Sequence, residues 1–201
     1  MHIRNLTFAA LAGAASAVPA PQSDSVLDGQ PPENQEFALA MTVDGTDTYV
    51  SLNAVSNGTL GNLVLQTQRL SVYPGTPAYF NGSAADGMAA LNFDLTDSTD
   101  EYNKGVFGLH APDVGDNYGY STPVSAIYGF QEFAWGSYNG TITHNLNAAL
   151  EDFFSCEGVI NGEKASYLAW GVYQSNGEAP EGCAVTNLVK NCNVEGGATD
   201  C

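Results

Sequence analysis

Past its first residues the chain has two histidines, His110 and His144, set among 22 acidic residues. These are the side chains suited to proton transfer. A serine–histidine–acid triad has to use one of the two. His144 stands in an alternating stretch with Ile142 and Leu146 on its face, the pattern of a packing or surface histidine. Glycoside hydrolysis needs two carboxylates about 5–9 Å apart across the scissile bond. Glu132, between Phe130 and Phe133 in "GFQEFAW", and Glu151-Asp152, ahead of Phe153-Phe154, are the candidates. The plainer expectation for both is a solvent-facing charge beside buried aromatics. "DLTDSTDE", Asp94 to Glu101, spaces oxygen ligands as a calcium loop does, but it lacks the mid-loop glycine and reads as a solvated acidic turn. Ten Tyr, nine Phe and two Trp supply faces for stacking sugar rings, around Trp135, Tyr138 or Tyr118-Gly119-Tyr120. "GYSTP" at Gly119 to Pro123 is not a nucleophile elbow, and no H-E-x-x-H, phosphate loop or G-x-G-x-x-G occurs. The expectation is a chain without catalytic residues, cofactor or metal, with wall polysaccharide as a conceivable partner.

The four cysteines, Cys156, Cys183, Cys192 and Cys201, all lie in the last quarter of the chain. Without a C-x-x-C spacing, a disulfide framework is the default in an exported protein. The sequential pairing, Cys156 with Cys183 and Cys192 with Cys201, pins the terminus and staples the closing segment onto a body that has its own core.

"MHIRNLTFAALAGAASAVPA" has a charged head, a short apolar run and a small-residue triplet, the pattern of a secretory signal cut after Ala17 or, alternatively, Ala20. Residues 18–36, rich in Pro, Ser and acids, read as a flexible leader, and 37–201 as one domain. Cleavage removes Arg4 and takes the formal charge from −17 to about −18, a surface that repels nucleic acid and anionic lipid. No later stretch is long and apolar enough to span a bilayer. Asn57, Asn81 and Asn139 head N-glycosylation sequons, each also an Asn-Gly pair expected on an exposed turn.

The elements that must hold these residues are strands. "FALAMTV", "MAALNFDL", "VSAIYGF" and "SYLAWGVY" alternate with period two. Between them fall Asp44-Gly45, Asn57-Gly58, Asn81-Gly82, Asp86-Gly87, Asn139-Gly140, Asn161-Gly162 and Asn176-Gly177, pairs that accept the positive φ of hairpin turns. The fold class is all-β: a sandwich or barrel, a β-trefoil-like form included, with a disulfide-stapled C-terminal segment. "NLNAALEDFF", Asn145 to Phe154, is the one helical candidate, with a turn into a strand as its alternative.

"FFSC" at 153–156, "AWGVY" at 169–173 and "CAVTNL" at 183–188 follow a pattern that resembles the fungal PhiA-like secreted cell-wall proteins. The detailed match spans about 35 residues, Phe153 to Leu188. Glu157 stands where that pattern has Pro, and the Cys192–Cys201 tail is extra. The resemblance implies a glycosylated protein of the fungal wall or culture fluid without catalytic activity. In the family it goes with spore-bearing cells and allergenicity. It supports pairing Cys156 with Cys183 and carries over no catalytic residue. A lectin-like wall-binding module and a secreted hydrolase or effector remain the alternative readings.

Overall fold

The computed structural model describes residues 36–43, 49–67, 75–95, 104–145 and 150–191. The signal and leader, the Asp44-Gly45 turn and the Cys192–Cys201 pair lie outside the described residues. The strands are β1 (Phe37–Thr42), β2 (Tyr49–Ser56), β3 (Asn62–Thr67), β4 (Pro77–Ser83), β5 (Met88–Asp94), β6 (Val106–His110) and β7 (Ser121–Pro123). They continue as β8 (Ser125–Tyr128), β9 (Trp135–Tyr138), β10 (Thr141–His144), β11 (Glu151–Ile160), β12 (Glu163–Val172), β13 (Cys183–Val185) and β14 (Leu188–Asn191).

Nine strands close a barrel in the order β3-β2-β1-β14-β10-β9-β5-β6-β8. The ring shuts where β8 returns to β3, pairing Asn62 with Ile127 and Val64 with Ser125. Closure removes the free sheet edges that an open sheet would expose. Of the expected all-β forms, the barrel is the one observed. The β11–β12 hairpin continues from β3 through Tyr167 opposite Gln66, with β13 on one side and β7 on the other.

Two hairpins turn on the Asn-Gly pairs read from the sequence. Asn139 (φ 49°) and Gly140 (φ 79°) link Tyr138 to its partner Thr141, and Asn161 (φ 52°) and Gly162 (φ 82°) link Ile160 to Glu163. Both central residues lie in the left-handed region, as this tight turn demands. Asn81-Gly82 behaves differently. It lies inside β4, paired with Ala90 and Ala89, and the chain reverses instead at Ala84 to Gly87. Asn81 is therefore half-buried in a strand, whereas Asn57 and Asn139 are exposed at turns.

The barrel interior is filled by Leu39, Met41, Leu52, Leu63, Leu65, Leu91, Phe93, Phe107 and Leu109. Burying each such side chain is worth about 1.5–3 kcal/mol. The β11–β12 hairpin splits by parity, as its alternation predicts. Phe153, Leu168, Trp170 and Val172 join the barrel core, while Phe154, Cys156 and Ala169 form a second cluster with Tyr167 and Tyr173. Of the helical candidate Asn145–Phe154, Glu151 onward is strand β11, in line with the alternative of a turn into a strand, and residues 146–149 lie outside the described residues. In "MAALNFDL" Asn92 lies on the face opposite Leu91 and Phe93 and is nonetheless buried, since the chain after β8 folds over that face. In "VSAIYGF" the buried face ends at Ala126, and Tyr128 and Phe130 turn outward.

Candidate functional site

At one end of the barrel a cleft of about 420 Å³ is lined by His110, Glu132, His144, Glu151 and Trp170, with 111–116 forming one wall. Four of these side chains arrive at or near a strand terminus. His110 ends β6, His144 ends β10, Glu151 starts β11 and Trp170 is near the end of β12. Cross-strand register gathers them: Trp135 lies opposite His144, and Trp170 opposite Phe153. Trp135 is fully buried, and its Nε1–H donates to the Leu109 carbonyl at 3.1 Å, next to His110. One indole thus braces the strands that carry both histidines.

Glu132 arrives by a loop. After Gly129, whose N–H bonds back to Val106 (3.0 Å), the chain crosses the outer face of β6 at Gly108 and drops the Glu132 carboxylate between the two imidazoles. Glu132 Oε1 stands 3.6 Å from His110 Nδ1, and Oε2 stands 3.3 Å from His144 Nε2. The Ala111 N–H donates to Oε2 at 3.1 Å. Burial by itself raises the carboxyl's pKa. Hydrogen bonds from His144 and Ala111, with the charges of both imidazoles, outweigh that and hold it below the ordinary carboxylate value. His144 forms the floor, its ring 4.7 Å from that of Trp135 and 5.2 Å from that of Trp170. His110 is more open, with its ring 4.9 Å from that of Phe130.

The expectation for Glu132 is reversed. Its side chain is only 10 % exposed, while its flanking aromatics Phe130 and Phe133 are 37 % and 56 % exposed. His144 packs against aromatics as its strand pattern suggested, and it also meets a carboxylate. Of the expected sugar-stacking aromatics, Trp135 is sealed in the core, whereas Tyr118, Tyr120 and Tyr138 are exposed. Asp94 and Leu95 are described, and residues 96–101 of the calcium candidate lie outside the described residues. Among the described residues no group of three or more His, Cys, Asp or Glu is placed to hold a metal ion. The sequence names Glu132 and Glu151 together as candidate carboxylates and His110 and His144 as the candidate histidines, but nothing in it brings the two sets into one cleft. Asp113, Asp116 and the Ala111 N–H were missed entirely, because only the β6–β7 connection brings them to the cleft.

Cys156 and Cys183 form a disulfide between directly paired residues of β11 and β13. A second hollow of about 440 Å³ lies beside the β11–β12 turn, lined by Thr67, Glu157, Val159 and Lys164 among others. It contains neither histidine. No family model matches the chain, no curated protein matches it, and no solved structure matches it.

Proposed function

We propose that the chain is an exported, glycosylated protein of the fungal wall or surface that holds wall polysaccharide in the barrel-end cleft without turning it over. The N-terminal signal pattern supports export, the exposed sequons at Asn57 and Asn139 support glycosylation, and the Cys156–Cys183 disulfide is compatible with an oxidising space. The observation that carries the binding reading is the convergence of His110, Glu132, His144 and Glu151 on one cleft, with exposed Phe130 beside it. Carboxylates accept from sugar hydroxyls, imidazoles can accept from them or donate to them, and aromatic faces take the ring. Co-sedimentation with chitin, glucan and mannan tests this. Retention on at least one polymer, reduced by Glu151→Gln, supports it, and no retention on any of them removes it.

A second reading, a secreted hydrolase, is favoured by one observation: Glu132 and Glu151 line the same cleft. Glycosidase and esterase substrates that are turned over by the protein, but not by Glu132→Gln or Glu151→Gln, would put this reading first.

A further inference from the structure

The cleft's shape and charge restrict what it can hold, beyond the bare statement that it binds wall polysaccharide, and the restriction rests on that reading. Walls come from five segments: 111–116, Glu132 on its loop, His144, Glu151 and Trp170. A groove for the middle of a polymer is open at both ends. A hollow walled from β6, β10, β11 and β12 together, with an imidazole and an indole for its floor, is approached end-on. Its 420 Å³ sits near the lower limit of the about 300–1,000 Å³ usual for small-ligand sites, room for one or two sugar rings.

The charge is one-sided. Glu132, Glu151, Asp113 and Asp116 line the cleft, and among the described residues none of the lysines Lys104, Lys164 and Lys190 does. Glu132 is already engaged by His110, His144 and the Ala111 N–H, and one Asp113 oxygen accepts from the Gly115 N–H at 2.9 Å. With its Nδ1 turned to Glu132, His110 has Nε2 as its other polar atom. Carboxylate oxygens and an imidazole nitrogen suit a ligand rich in hydroxyl donors. A ligand carboxylate or phosphate would sit among four like charges.

Two of the three sequons lie away from this end, whereas Asn81, next to Gly82 in β4, is about level with Ala89, Trp135 and His144 and so lies towards the cleft. The Asn139-Gly140 turn closes the β9–β10 hairpin at the end opposite Trp135 and His144, roughly 10 Å along the strands. Asn57 precedes β3, whose Asn62 is level with Gly108 and Ile127, whereas His110 is level with Ser125 and Val64 further along.

We propose that the cleft is a terminal-saccharide pocket: it takes the last one or two rings of an uncharged hexose chain, and its carboxylates exclude uronic acids and phosphorylated sugars. The only two tryptophans of the chain, Trp135 and Trp170, both touch the His144 ring, so intrinsic fluorescence reports the floor of the pocket directly.

The test titrates the whole exported protein with cellobiose, laminaribiose, mannobiose and di-N-acetylchitobiose, then with cellobiouronic acid. At least one neutral disaccharide should change the fluorescence saturably. The uronic acid should bind at least tenfold more weakly than cellobiose, and Glu151→Gln or Asp113→Asn should narrow that gap. Phe130→Ala, a change at an exposed ring, should weaken neutral binding while leaving the unfolding midpoint in place. Equal or tighter binding of the uronic acid overturns the proposal. So does a flat titration with every disaccharide by a protein still retained on insoluble wall polymers; in that case the wall-binding reading survives and only the pocket is lost. A flat titration together with no retention removes both.

Discussion

Gly108 and Phe130 lie so close that a Cβ on Gly108 would stand 1.9 Å from the Phe130 carbonyl oxygen and 2.8 Å from its carbon. That missing methyl group is what lets the loop between β8 and β9 lie flat on β6. Glu132 is two residues further along the same loop, and His110 is two residues further along the same strand. The contact therefore sets the distance between a carboxylate and an imidazole through backbone packing alone.

Gly108→Ala should lift that loop. Its backbone cannot yield at 1.9 Å without moving Glu132 as well. We expect a loss of about 1–3 kcal/mol in urea unfolding, the usual cost of overpacking. We also expect weaker binding to any polymer that retains the parent protein. An alanine variant with unchanged stability and binding would show that the loop is free to move.

Glu132 gives a pH signature. Its carboxyl titrates below its ordinary value of 4.5 in the folded chain, because contacts with His144, Ala111 and His110 outweigh burial. A depressed carboxyl stabilises the fold above its unfolded value, and that contribution is lost as pH falls through the lower folded value. Glu132→Gln should cost about 1–3 kcal/mol near pH 6 and progressively less as the medium is acidified below about pH 4.5. Unfolding midpoints of the two proteins across that range check it. A gap that stays constant with pH would contradict the assignment.

The strands were readable in the sequence because period-two alternation and Asn-Gly turns are local signals, and the β11–β12 hairpin follows them residue by residue. The cleft was not readable. His110 and His144 are 34 positions apart, and Glu132 joins them only through barrel closure and the space above Gly108. A charge flanked by aromatics ordinarily faces water. Here the loop turns over, leaving Phe130 and Phe133 outside and the carboxylate inside. Asn92 is buried for the same reason: covering by a loop converts an outward strand position into a buried one.

The Cys156–Cys183 bond closes a separation of 27 residues and ties β13 to β11. Replacing both with serine should cost roughly 3 kcal/mol on the chain-entropy estimate. Denaturant unfolding measures it. Peptide mapping without reductant should recover the linked pair from the natural protein, and free thiols at either position would refute the bond.

Tyr173 donates its hydroxyl to Asp152 Oδ2 at 2.7 Å. Burial first, then the Asp152 hydrogen bond and charge, push its phenol up to about 12. The neutral phenol is the favoured form in the fold, so this contribution is complete below the ordinary value of 10.0 and is lost as pH rises towards about 12. Ultraviolet difference titration should find Tyr173 among the late tyrosines, alongside Tyr79 and Tyr167, which burial also raises, and Asp152→Asn should bring one of the late transitions earlier. An unchanged profile in that variant would detach Tyr173 from Asp152.

The most direct test of the cleft as the binding site is imidazole NMR on the exported chain, where His110 and His144 supply the signals. With chitin, glucan or mannan oligosaccharides added, the account predicts that both histidines shift together along one saturation curve, and that Glu151→Gln weakens the curve for both. Oligosaccharide that binds while both imidazole signals stay fixed would place the ligand elsewhere and contradict it.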